Sequence, residues 1–189
     1  MSLRAQEAVD ETFTRPKILI YYCNKMTITS VQAEKADKDK PIALSSDKAQ
    51  FDDVNQIYHL ESNVLLIKGT LIIRGEKAQV KIDPEGYQLA TIFAKPGSLA
   101  TLRQRRDTGL DEYIEGQADW IQYDAKSETA VLVGKAKMSQ LSGTKISDQV
   151  NGDRIHYDGQ TEKYNALSEK LVKSTLSPRR KESSRNISQ

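Results

Sequence analysis

A seven-residue unit recurs four times in this chain, and it limits the fold more than any other feature. It reads S-D-K-A-Q-F-D from Ser46, G-E-K-A-Q-V-K from Gly75, A-D-W-I-Q-Y-D from Ala118 and G-D-R-I-H-Y-D from Gly152. The shared form is a small residue, an acid, any residue, Ala or Ile, a polar residue, an apolar or aromatic residue, and usually Asp. The fourth and sixth positions are two apart, so on a β-strand both side chains fall on one face. That face pairs Ala49 with Phe51, Ala78 with Val80, Ile121 with Tyr123 and Ile155 with Tyr157. Gln50, Gln79, Gln122 and His156 then point the other way, into water. The closing Asp suits a turn held by an Asx-type bond. Such repetition, at irregular intervals of about thirty to forty residues, signals a stacked or coiled β architecture.

Residues 62–75, S-N-V-L-L-I-K-G-T-L-I-I-R-G, hold two short apolar runs, 64–67 and 71–73. Each is too short for an ordinary helix and fits a strand, with Gly69 at a sharp bend or bulge. Their register stays open, because both faces are apolar. Pro41 opens a first strand carrying Ile42 and Leu44, and a proline there suits a sheet edge. Further strands are expected over 55–60, 89–94, 130–138 and 164–167, with Leu171 and Val172 extending the last. Within 130–138, Ala130, Leu132, Ala136 and Met138 share one face, with Lys135, Lys137 and then Ser139 on the other. Residues 103–109 read as a basic loop and 143–151 as a polar connection. Residues 1–40 read as a disordered tail or altered leader, with a short strand possible over 18–22 and a cleavage-like Val31-Gln32-Ala33. Residues 41–172 form the β domain, and 173–189 a basic disordered tail.

Composition narrows the function. The net charge of +2 and the pI near 8.5 lack the basic bias of a nucleic-acid binder, so no nucleic-acid partner is expected. Hydrophobic residues are 38%, charged residues 29% and the mean hydropathy −0.60, which suits a thin β structure with wet outer faces. The single cysteine, Cys23, excludes an internal disulfide. No apolar run approaches the roughly 20 residues of a membrane-spanning helix. Two histidines and one cysteine do not make a metal-ligand cluster, and no nucleophile elbow, P-loop or Rossmann fingerprint occurs. The recurrent Asp reads as a turn residue, so neither an enzyme nor a cofactor is expected.

With N-V-x-L-x-x-G-T-L-x-I over 63–73, E-G-Q-A-D-W-I-Q-Y-D over 115–124, N-G-D-R-I-H-Y over 151–157 and E-K-Y-N-A-L-S over 162–168, the chain resembles the OstA-like family. Its members include periplasmic lipopolysaccharide-transport proteins of Gram-negative bacteria. The resemblance covers about residues 41–168 and extends to a Lys-rich C-terminal tail. It implies a slightly open, twisted β-jellyroll of many short antiparallel strands, whose hydrophobic interior holds the acyl chains of lipid A. It also implies a head-to-tail homo-oligomer joining an LptC-like inner-membrane partner to an LptD-like outer-membrane partner in the periplasm. Under that reading the lipid-binding positions are Ile42, Leu44, Phe51, Val64, Leu66, Leu71, Ile73, Leu99, Tyr123 and Met138. The joining strands are 42–44 at one end and 164–167 at the other. Two features depart from the family: residues 1–33 do not form an ordinary cleaved signal peptide, and Ser62 stands where family repeats often carry Gly before Asn-Val. Two other readings are a structural β-filament without a ligand and a carbohydrate-binding or sugar-active jellyroll. The last needs exposed aromatics and convergent carboxylates, and Trp and Phe are few.

Overall fold

The computed structural model describes Asp37 and residues 40–106, 108, 109 and 111–178, all within the compact unit Val31–Gln189. The possible strand over 18–22, Cys23, the cleavage-like Val31-Gln32-Ala33 and the basic segment from 179 lie outside the described residues. Twelve strands follow in order: β1 (Ala43–Ser45), β2 (Lys48–Asp52), β3 (Ile57–Lys68), β4 (Leu71–Ile82), β5 (Gln88–Phe93), β6 (Ala100–Arg105), β7 (Glu112–Ala118), β8 (Trp120–Asp124), β9 (Thr129–Ser142), β10 (Lys145–Asp158), β11 (Lys163–Leu167) and β12 (Lys173–Leu176). Every pairing is antiparallel, and no helix occurs among the described residues. The fold is the expected all-β jellyroll.

The two apolar runs around Gly69 are the inner ends of two longer strands. Val64 pairs with Gly75, Leu66 with Ile73 and Lys68 with Leu71, and Gly69 turns the hairpin at φ +57°. This settles the open register. Val64, Leu66, Leu71 and Ile73 face inward, while Leu65, Ile67 and Ile72 are half-buried.

Each of the four long strands changes neighbours part-way. β3 pairs with β2 over 57–61 and with β1 over 65–67. β4 leaves β6 after Arg74 and pairs with β5 from Lys77. β9 pairs with β8 over 129–133 and with β7 over 137–142. β10 does the same with β11 and β12. The sheet is therefore bent along a line of corners into two facing halves. One half holds β2, β5, β8, β11 and the adjoining parts of the long strands. The other holds β1, β6, β7, β12 and the remainder.

These corners explain the first two positions of the repeat, which the alternation argument left without a role. Ser46-Asp47, Gly75-Glu76, Ala118-Asp119 and Gly152-Asp153 are all corner residues. The three aspartates stitch neighbouring corners together. Asp47 N–H donates to Ser62 O at 2.9 Å, and Asn63 Nδ2 donates to the Asp47 carboxylate at 2.7 Å. Asp119 N–H donates to Gly134 O at 2.8 Å, and its own carbonyl accepts from Ala94 N–H at 2.9 Å. Asp153 accepts from Ser168 Oγ and Glu169 N–H, both at 2.8 Å. Backbone conformation at the corners is costly. Ser62 and Asn63 sit at φ +63° and +55°, and Gly134 and Lys135 at +77° and +49°. The left-handed region disfavours L-residues by roughly 1–2 kcal/mol, and glycine escapes that cost. Serine at 62 is thus a penalty carried by this chain. Ser62→Gly is expected to raise the urea midpoint, adding about 0.5–1 kcal/mol after glycine's greater chain entropy is subtracted.

The closing Asp residues act as expected. Asp52 accepts from Asn55 N–H, Asp124 from Lys126 N–H, and Asp158 from Gln160 and Thr161 N–H. In the second unit Asp83, two places later, takes over the role with Glu85 and Tyr87. Asn55's side chain and N–H hold the Asp52 carboxyl below the usual carboxylate range; Thr161, chiefly, does so for Asp158, and the Glu169 N–H for Asp153. Each folded-state pKa therefore lies below the unfolded value near 4. The stabilisation is complete above that value and disappears as pH falls through the folded values. The urea midpoint is expected to fall below about pH 4, and less steeply in an Asp52→Asn/Asp153→Asn/Asp158→Asn variant.

The inner faces make one core. Leu60, Val80, Ile92, Ile121, Leu132, Ile155 and Tyr157 come from one half and Leu66, Ile73, Leu102, Ile114 and Met138 from the other, all nearly or fully buried. Gly116 marks where the halves touch, since a Cβ there would lie 2.7 Å from Leu132 Cδ2. Five expectations change. β11 ends at Leu167, and Leu171 and Val172 lie exposed outside any strand instead of extending it. Residues 103–105 belong to β6 rather than a loop, because Leu102 packs inward while Arg103 reaches out to Glu115 at 2.7 Å. Residues 145–151 belong to β10, paired with β9 along their length. Lys173–Leu176 is a strand rather than tail, held by backbone pairing with residues 148–151. Asp37 lies inside the expected tail yet is buried, its carboxylate accepting from Thr70 N–H at 2.6 Å and Thr70 Oγ1 at 2.5 Å.

Candidate functional site

The interior is the candidate site. Of the positions expected to line it, Val64, Leu66, Leu71, Ile73, Tyr123 and Met138 meet in the buried core, none more than 5% exposed. Ile42 and Leu44 pack on its edge at β1 and stay partly exposed. Phe51 is 42% exposed and stacks on Tyr58 with ring centroids 4.3 Å apart. Leu99 is half-buried, away from the centre. The middle of the interior is filled by the chain's own side chains. Leu102, Ile114 and Ala118 belong to it as well; the first fell in a stretch where charges obscured the alternation.

The core is less covered in three places. At one end Ile42, Leu44 and Tyr58 pack on it while partly exposed, and at the other Tyr164 and Ala166 do so. The third place is the split where β4 passes from β6 to β5, which opens a cleft of about 500 Å³. Val64 and Leu99 give it an apolar wall, and Arg74, Glu76, Lys95 and Ser98 a polar rim. Gly75 at this split cannot carry a side chain, since a Cβ would lie 2.4 Å from Ile92 Cγ2 and 2.7 Å from Phe93 O.

Opposite the corners, the turns of the two halves meet. Lys68, at the end of β3, reaches Glu128 in the β8–β9 turn at 3.5 Å. Arg106, just after β6, reaches Glu162 in the β10–β11 turn at 2.6 Å and Glu112 at 3.1 Å. The space between Asp37, Lys68, Leu71, Gln104, Tyr123, Glu128 and Gly159 is about 10 Å³, room for one water at most. Burial, first, and then the charges of Glu128, Asp124 and Asp37 push the Tyr123 phenol well above its ordinary range. Tyr123 is therefore neutral and serves as apolar wall with a polar tip. Among the described residues no group of three or more His, Cys, Asp and Glu could hold a metal ion, and His59 and His156 are exposed on their strands. No helix of the described residues is long and apolar enough to cross a membrane.

Residues 43–163 match the family model described as LptA/(LptD N-terminal domain) LPS transport protein. The chain belongs to this family. The matched segment runs from the first residue of β1 to the first of β11, so it takes in both halves of the jellyroll and all four repeats. This family member is 30% identical over 138 residues to the lipopolysaccharide export system protein LptA of Escherichia coli K12, covering 73% of this chain and 70% of that protein. It is 24% identical over 132 residues to the lipopolysaccharide export system protein LptH of Pseudomonas aeruginosa, covering 69% and 70%. A crystal structure of LptH, the LptA-homologous periplasmic component of the lipopolysaccharide transport device of P. aeruginosa, superposes with a TM-score of 0.66 at 22% identity. The superposition covers 75% of this chain and 99% of that one.

Proposed function

We propose that this family member works in lipopolysaccharide transport in the periplasm, holding the acyl chains of lipid A between the two halves of its jellyroll. The observation that carries the reading is the course of the core. It runs from Ile42 and Leu44, just before and on the first strand, to Tyr164 and Ala166 on the eleventh, and it is partly uncovered at both ends. An interior uncovered at both ends suits a slot continuing from one molecule into the next. Each acyl methylene buried there contributes about 0.8 kcal/mol, and such contacts have no preferred direction, so a chain is retained yet free to slide. Because side chains fill the middle, acyl chains enter by parting the halves and replacing side-chain contacts with their own.

The same ends suit assembly. β1 and β2 pair with β3, and β11 and β12 with β10, which leaves one edge of each open among the described residues. An open edge can add a strand from another chain, and a head-to-tail contact of that kind extends instead of closing. Residues 42–44 and 164–167 are the joining strands in this reading, linking copies of the chain and, at the termini of the row, LptC-like and LptD-like membrane partners. The filled middle favours one competing reading, a β-filament with no ligand. One experiment separates them: the protein is purified from a Gram-negative host and its extract examined for lipid A by mass spectrometry. Stoichiometric lipid A is the expected result. Oligomers without lipid A, and none taken up from added lipopolysaccharide, would leave the filament.

A further inference from the structure

Apart from Arg106–Glu112, which joins the end of β6 to β7 within one half, the ion pairs between described residues fall into two kinds. Lys77–Glu61, Arg103–Glu115, Lys126–Glu85 and Lys135–Asp119 have at least one side chain more than two-fifths exposed and join neighbouring strands, turns or corners. Lys68–Glu128 and Arg106–Glu162 differ in both respects. They cross from one half to the other, and no partner is more than 16% exposed. Both acids occupy the same place in the repeat, four residues after the turn-forming Asp, at φ +56° and +53°. In the first turn that place is held by Gln56 at +54°, and in the second the positive φ falls one residue earlier, at Gly86, +90° and three residues after Asp83. Acids thus stand at two strained positions that glycine would fill more cheaply, each facing a cation of the opposite half. Parting the halves must break both pairs; Arg106 keeps Glu112 of its own half, but it loses its shortest contact and Lys68 loses Glu128, and weakening the pairing of a buried cation is destabilising. An incoming anion removes that obstacle.

We infer that Lys68 and Arg106 form an anion-binding clasp, in which phosphate groups of a phosphorylated amphiphile displace Glu128 and Glu162 and so release the two halves for its acyl chains. The inference rests on the lipid-binding reading above and adds the recognition element that the apolar core lacks. A phosphate monoester carries about −1.5 to −2 charges and three acceptor oxygens, against one charge and two oxygens for the carboxylate it replaces. The exchange leaves both cations paired. It also returns Glu128 and Glu162 to water, where a carboxylate is at low cost.

The test measures binding of lipid A and of chemically dephosphorylated lipid A to the full chain, by native mass spectrometry and by displacement of a fluorescent fatty-acid probe. The wild-type protein is expected to prefer the phosphorylated form by about tenfold or more. Lys68→Gln/Arg106→Gln loses that preference while still binding the dephosphorylated form, and the charge-retaining Lys68→Arg/Arg106→Lys keeps it. The wild-type preference needs no variant, so the test survives a double variant that fails to fold. Equal binding of the two lipids by the wild type would overturn the clasp and leave the lipid reading intact. Binding of neither lipid would overturn both. Inorganic phosphate is expected to compete weakly; saturable binding as tight as that of lipid A would overturn the assignment to a lipid headgroup.

Discussion

Leu132→Ala is expected to lower the free energy of unfolding by about 2–5 kcal/mol, the range for deleting a fully buried leucine side chain. Leu132 is completely buried in β9 and pairs with Ile121 and Ile155 on its own half. Its Cδ2 reaches across to the backbone of Gly116 in the other half. Truncation therefore empties the contact between the halves rather than a pocket within one. Neighbouring strands are held by continuous ladders and cannot collapse into the gap, which places the cost toward the upper part of the range. In a chain of this size the melting temperature should fall by roughly 10 °C. Urea unfolding checks the value, and a loss below about 1 kcal/mol would mean that the halves do not meet there.

The second large effect is at a corner. Gly134→Val is expected to cost about 2–5 kcal/mol, summing left-handed backbone strain and overpacking. Gly134 has φ +77°, and a Cβ would lie 2.4 Å from Asp119 Oδ2 and 2.9 Å from Asp119 Cβ. The carboxylate could swing aside, but the Asp119 Cβ is fixed by the hydrogen bond from Asp119 N–H to Gly134 O. Relief requires that β9 open away from the β7–β8 junction, where the two halves are joined. The midpoint of urea unfolding should fall with little change in the denaturant slope. A variant as stable as the wild type would show that the corner does not hold the halves.

Much of this fold was legible because strand alternation is local. Ile121 with Tyr123, Ile155 with Tyr157, and Ala130, Leu132, Ala136 and Met138 could be read from spacing alone, and all are buried. The corners were not legible. Ser62 and Asn63 adopt positive φ without being glycine, so composition gave no sign of that bend, and Gly134, at +77°, lay in a run that alternation reads as one straight strand. β12 was hidden for a different reason: all four of its residues are exposed, and backbone pairing alone holds it. In β10 the shift between Ile146 and Asp148 interrupts the alternation, leaving Ile146 47% exposed and Asp148 buried. The expected lining was gathered only in part, because Phe51 and Leu99 lie where one half extends past cover from the other or where the sheet splits. The cross-half pairs Lys68–Glu128 and Arg106–Glu162 join residues 60 and 56 positions apart, and nothing local foretells them.

The central claim is that acyl chains lie between the two halves. A photoreactive amino acid placed at inward Leu66, Ile73 or Tyr123, and separately at outward Gln79 or His156, tests it most directly in cells making lipopolysaccharide. Crosslinks to lipopolysaccharide from the inward set alone are the predicted result. Equal labelling from both sets, or labelling from the outward set only, would contradict it.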